Sequence, residues 1–142
     1  MTPLSGHPRS KSPKNLLSMV LADTNVWINF LRGKDQALAQ MLWRGEIMMH
    51  WIVIGELATG SLANRAQFLA DLREMQIIQA ATERESLVLI ENRHLYGRGI
   101  GWNDIQILAS CLINHVPLWT CDRRLQEAAE ELGCAWQGEG EA

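Results

Sequence analysis

Short apolar runs alternate with longer stretches of helical periodicity along most of this chain, and that alternation restricts its possible folds more than any other feature. Residues 19–22 are a continuous apolar run, as in a strand buried on both faces. Residues 47–50, 76–79 and 116–120 read as further strands, and 134–136 as a short fifth. Helical patterns fall between them at 26–31, 36–43, 51–59, 65–75, from 82 to about 96, at 104–114 and at 123–132. Thr82 with Glu85 forms a capping box, and Asn64 and Asn103 stand as N-caps. Gly33, Gly45, Gly60 and Gly133 stand where helices stop. Strands that alternate with helices pair in parallel through right-handed crossovers. The expected fold is α/β, with a central parallel sheet of four to five strands flanked by helices on both faces. Ligands of such sheets bind beyond the carboxyl ends of the strands.

The 142 residues suit one domain. A chain of this size buries roughly 70% of its unfolded surface and needs no disulfide. The three cysteines, Cys111, Cys121 and Cys134, form no CxxC pair and read as reduced thiols of a cytoplasmic protein. No run approaches the ~20 apolar residues of a membrane span. Residues 1–18 are expected to be a basic, disordered tail, and the first fifteen lack the apolar core of a secretory signal. Residues 19–136 are the expected folded domain and 137–142 a frayed end. Net charge is −3, with Arg9, Lys11 and Lys14 in the tail and the acidic excess in the domain. An acidic domain does not hold nucleic acid through a general basic surface, so any phosphate contact must be local or run through a metal.

Four acids fall where a site is expected. Asp23 ends the first strand, Glu56 lies inside the third helix, Asp104 begins the helix after a glycine-rich loop, and Asp122 follows the fourth strand. Each aspartate alone has an ordinary explanation as a helix cap or first-turn acid. Glu56 is harder to explain, because it shares a helix face with Ile52 and Val53, and buried carboxylates are costly unless paired. Two like charges about 4 Å apart repel by about 4 kcal/mol at an effective dielectric near 20. A cluster of four therefore takes up protons or recruits a cation. Mg²⁺ or Mn²⁺ suits all-oxygen donors, and such an ion in an open cleft promotes phosphodiester hydrolysis. No HxxxH or Cys/His cluster favours zinc. His7, His50, His94 and His115 are scattered and read as structural or solvated, with His50 nearest the expected site. A dehalogenase-like phosphatase wants a second Asp where Asn25 stands, and a receiver domain wants a late lysine, whereas Lys11, Lys14 and Lys34 are all early.

The segments around these acids resemble the PIN-domain family. The resemblance rests on Val20-Leu21-Ala22-Asp23-Thr24-Asn25-Val26-Trp27, Glu56-Leu57-Ala58-Thr59-Gly60, Gly101-Trp102-Asn103-Asp104-Ile105-Gln106-Ile107-Leu108-Ala109 and Leu118-Trp119-Thr120-Cys121-Asp122-Arg123-Arg124-Leu125, in that order. It implies a PIN-like fold and a metal-dependent endoribonuclease, the toxin of a type II toxin–antitoxin pair. It implies Asp23, Glu56, Asp104 and Asp122 as the metal-site acids for Mg²⁺ or Mn²⁺, with Asn25 and Thr120 as polar neighbours that position them or a water. Implied partners are RNA, a small cognate antitoxin covering the cleft, and a second copy in a homodimer. Substrate contacts are expected from Arg98, Arg123 and Trp102, each of which also has an ordinary reading: a solvated loop, a surface helix and core packing. Cys121, beside Asp122, has no base placed to make it a nucleophile. The alternative is a catalytically silent PIN scaffold that binds RNA or a protein partner.

Overall fold

A computed structural model describes residues 18–138, so all but Ser18 of the expected tail (1–18) and residues 139–142 of the expected frayed end (137–142) lie outside the described residues. The sheet is parallel and has β1 (Val20–Ala22) at its centre, between β2 (Ile47–Met48) and β3 (Leu118–Trp119). Val20 pairs with Ile47 and Leu21 with Met48 on one side; Leu21 pairs with Leu118 and Ala22 with Trp119 on the other. Successive strand residues point to opposite faces, and all three of β1 are buried, so both faces are covered. This matches the continuous apolar run.

Among the described residues the sheet has three strands, not the four to five expected. The runs at 76–79 and 134–136 do lie at its two edges, but each makes a single parallel bridge, Met49 with Ile77 and Leu118 with Ala135. Their partners run out. His50, directly after Met49, already caps a helix, and Leu118 carries both hydrogen bonds of the other edge, from Leu118 N to Cys134 O and from Trp136 N to Leu118 O.

Seven helices flank the sheet among the described residues: α1 (Thr24–Leu31), α2 (Ala37–Trp43), α3 (Trp51–Ala58), α4 (Arg65–Glu74), α5 (Glu83–Asn92), α6 (Trp102–Asn114) and α7 (Arg123–Glu131). Their apolar stripes meet the sheet through Trp27 of α1, Phe68 and Leu72 of α4, Ile107 and Leu108 of α6, and Leu125 of α7. Burying each such side chain contributes about 1.5–3 kcal/mol. Trp27 packs edge-on against Phe30 and Phe68, which joins α1 to α4. The capping box at Thr82 is present with both reciprocal bonds.

Four local expectations change. Helix α1 starts at Thr24, since Asp23 caps it. Helix α5 stops at Asn92, because His94 takes a left-handed backbone (φ 54°). Asn64 precedes α4 in the left-handed region (φ 50°, ψ 46°) and makes no side-chain cap; asparagine tolerates that backbone. Helix α6 starts at Trp102 behind Gly101, so Asn103 is not its cap but lies in its first turn.

Candidate active site

The carboxyl ends of β1 and β3 deliver two of the acids. Asp23 leaves β1 and Asp122 follows β3, and each caps the helix that begins there: Asp23 accepts from Thr24 N at 2.8 Å, and Asp122 from Leu125 N at 3.1 Å. The cap reading of these two aspartates is therefore correct, and it does not exhaust them. Asp23 Oδ2 also accepts from Thr120 Oγ1 at 2.8 Å and from Asn25 Nδ2 at 3.3 Å. Thr120 Oγ1 in turn accepts from Asp122 N at 3.1 Å and Asn25 Nδ2 at 3.2 Å. Asn25 Oδ1 accepts from Cys121 N at 2.9 Å. Asp23, Asn25, Thr120 and Asp122 thus form one hydrogen-bonded unit across the two strand ends.

Helices α3 and α6 bring the other two acids. Glu56 Oε1 accepts from Thr24 Oγ1, and Oε2 from Asn103 Nδ2 at 3.4 Å. Neither Thr24 nor Asn103 is a site residue in the sequence reading, where Asn103 stands only as a cap. Both adjoin a candidate acid in the chain, but their partner, Glu56, is 32 and 47 residues away. Asp104, half-buried in the first turn of α6, has no hydrogen bond to its carboxylate among the described residues.

The electrostatics join all four. Burial pushes the Asp104 carboxyl up to about 6, and the charges of Asp23, Asp122 and Glu56 push the same way. Burial also raises Asp23; the bonds from Thr120 and Thr24 oppose it, and Glu56 and Asp122 add to it. Among the described residues no three Asp, Glu, His or Cys side chains, as they stand, form a group that could hold a metal ion. An open set of oxygen donors fits a hard cation that retains several waters, as Mg²⁺ and Mn²⁺ do, better than one stripped to protein ligands.

A model of the PIN domain family matches residues 20–131, which contain all four acids and every bond just described. The chain belongs to the PIN-domain family. Two curated relatives, both named Ribonuclease VapC32 and from two strains of Mycobacterium tuberculosis, are 41% identical over 118 residues, covering 82% of this chain and 95% of each relative.

The other sequence candidates sit differently in this PIN domain. Arg98 makes a two-pronged ion pair with Glu131 of α7 at 2.9 and 2.8 Å, which occupies its guanidinium. Together with Arg124, whose side chain lies across Gly99, this pair straps the glycine loop to α7. Arg123 is 91% exposed, with Glu127 at 3.8 Å. Trp102 is exposed, not core as its ordinary reading held. His50 is buried and bonded away from the acids. The Cys121 thiol is raised by burial, with the Asn29 bond opposing, which disfavours the thiolate that a nucleophile needs.

Proposed function

We propose that this PIN domain is a divalent-metal-dependent endoribonuclease that hydrolyses RNA phosphodiester bonds as the toxin of a type II toxin–antitoxin pair. The observation that carries the reading is the convergence of Asp23, Glu56, Asp104 and Asp122 from four separate elements, close enough that the other three charges all raise the Asp104 carboxyl. The likeness to Ribonuclease VapC32 across nearly its whole length supports the choice of substrate and of toxin role. A silent scaffold would keep the repulsion among four carboxylates with no cation to offset it.

In this reading Asp23, Glu56 and Asp104 hold the principal Mg²⁺ or Mn²⁺, and Asp122 completes the site directly, through water, or by helping to bind a second ion. When bound, the ion promotes attack of water on the scissile phosphate and neutralises the charge that develops there. The chain's own groups prepare that arrangement. Thr120 and Asn25 fix Asp23 Oδ2, while Thr24 and Asn103 hold the two oxygens of Glu56. Asp104, whose carboxylate accepts no hydrogen bond among the described residues, keeps its lone pairs for the ion. Trp102, exposed two residues before Asp104, offers a face on which a base stacks, and Arg123 offers a phosphate contact beside Asp122. A cognate antitoxin over the cleft, a homodimer and a cytoplasmic setting belong to the same proposal; no helix among the described residues is long and apolar enough to cross a membrane.

The test is cleavage of a labelled RNA pool by purified protein with Mg²⁺ or Mn²⁺, then with EDTA, beside equally pure and equally folded Asp104→Asn. Metal-dependent cutting that the variant lacks supports the proposal. Cutting that survives the substitution or EDTA overturns the site assignment. Neither cutting nor Mn²⁺ binding by the wild type would favour the scaffold.

A further inference from the structure

One fully buried polar cluster has no part in the chemistry above. His50 caps α3, and its Nδ1 accepts from Ile52 N at 3.0 Å. A backbone N–H only donates, so the ring is neutral and carries its proton on Nε2. Burial holds the imidazole down at about 4, in keeping with that form. Nε2 then donates to Ser110 Oγ at 2.9 Å. Ser110 also accepts from Ala81 N at 2.9 Å and donates to Gln106 O at 2.8 Å. A hydroxyl has one donor and two acceptor sites, and all three are used. For capping alone, Ser, Thr, Asp or Asn suffices. The second ring nitrogen does what those shorter side chains do not: it reaches from the start of α3 to the middle of α6.

We propose that the His50–Ser110 bond is a joint that sets the spacing of Glu56 and Asp104, making His50 a positioning residue for the metal-binding carboxylates. The inference rests on the metal-site reading above. His50 lies six positions before Glu56 on one helix, and Ser110 six positions after Asp104 on the other. At about 1.5 Å rise per residue, the joint stands about 9 Å along each helix from its acid. At the acid end the tie is the long 3.4 Å bond from Asn103 to Glu56. The buried, saturated joint is the firmer of the two, and it stops the helices sliding past one another. Mg²⁺-type ions demand near-ideal octahedral geometry, so the register of two helices that each bring a ligand controls affinity.

Two substitutions separate the bonds of His50. Asparagine places its amide at the reach of Nδ1, and glutamine at the reach of Nε2. His50→Asn therefore keeps the cap and drops the joint; His50→Gln keeps the joint and drops the cap. The full chain is measured three ways: Mn²⁺ affinity by calorimetry, cleavage of RNA with Mn²⁺, and the urea unfolding midpoint. His50→Asn is expected to bind Mn²⁺ about tenfold more weakly and to lower kcat with KM for RNA unchanged. His50→Gln is expected to stay within about twofold of wild-type affinity, despite a lower midpoint. Ser110→Ala, which leaves the cap intact, should match His50→Asn, and the double variant should be no worse than either. If the His50 variants do not fold, Ser110→Ala gives the same reading from the other helix. Wild-type Mn²⁺ affinity in His50→Asn or Ser110→Ala overturns the joint, as does affinity that follows the urea midpoint instead of the bridge. No Mn²⁺ binding by the wild type overturns it too. A wild type that binds Mn²⁺ without cutting the RNA pool counts against the nuclease reading alone, and the affinities still decide the joint.

Discussion

Asp104 and Asp23 both hold protons more tightly than a free carboxylate, by different balances. Asp23 is buried more deeply, but hydrogen bonds from Thr120 and Thr24 favour its charged form. Asp104 has burial and three like charges, with no bond from the described residues to offset them. Its folded value of about 6 lies above its ordinary 3.8, so the folded protein gains stability as pH falls through that window and loses it as pH rises from about 4 to about 6. Asn does not titrate. Metal-free Asp104→Asn should therefore be more stable than wild type at pH 7 by about 1–2 kcal/mol, after the screening a half-buried group experiences, and lose that advantage below pH 4. Urea midpoints against pH check this. The opposing loss from His50, whose lowered value of about 4 costs stability as pH falls below its ordinary 6.5, is common to both proteins and cancels in the difference. A second expectation concerns Thr24. Thr24→Val removes the donor to Glu56 Oε1 and should weaken Mn²⁺ binding about 10–100-fold, as loss of a group that orients a metal ligand does. Calorimetry measures it.

At the scale of elements, Asp122 caps α7 and is also proposed for the metal site, and two substitutions distinguish the roles. Asp122→Asn keeps an N-cap for α7 and removes the charge, so its unfolding free energy should stay within about 0.5 kcal/mol of wild type while RNA cleavage falls. Asp122→Ala should lose cleavage and also about 1 kcal/mol of stability. Equal stability of the two variants would remove the capping role. Thr82→Ala provides the contrast, since its capping box belongs to α5 and takes no part in the acid network. It should cost about 1 kcal/mol with Mn²⁺ affinity unchanged. The glycine loop before α6 is held by its own chemistry: Gly99 has φ 79°, and a Cβ there would stand 2.4 Å from the Arg124 guanidinium.

Across the whole molecule, strand order β2-β1-β3 places the start of the chain's first strand at the centre, with later strands added on either side. The crevice at the carboxyl ends of β1 and β3 is the point at which such sheets bind ligands, and Asp23 and Asp122 are there because of it. An ion that binds the folded chain and not the unfolded one stabilises the whole domain. At a free Mn²⁺ concentration a hundred times its Kd, unfolding should become harder by about 2.7 kcal/mol, and EDTA should reverse the change. Thermal or urea unfolding with and without Mn²⁺ reads this, and Asp104→Asn should respond far less.

The parallel α/β class, the buried central strand, the helix starts at Asp122 and Thr82 and the approximate place of the four acids were all legible in the sequence. These depend on periodicity and on bonds between residues three or four apart, which any local stretch reveals. Strand number was not legible in the same way, because 76–79 and 134–136 have strand-like residues, yet the length of pairing is set by where neighbouring helices begin. The roles of Thr24 and Asn103, the engagement of Arg98 by Glu131 and the His50–Ser110 bond join residues 32 to 60 positions apart. Local propensity says nothing about such partners. Burial and charge pairing, realised only when the helices pack, decide which side chain meets which: Asn103 turns from expected cap to hydrogen-bond donor for Glu56, and Trp102, a substrate candidate whose ordinary reading was core, stands exposed. The sequence determined which acids come to the edge of the sheet; tertiary packing decided their hydrogen bonds, their proton affinities and their spacing, because those depend on desolvation and distance between distant parts of the chain.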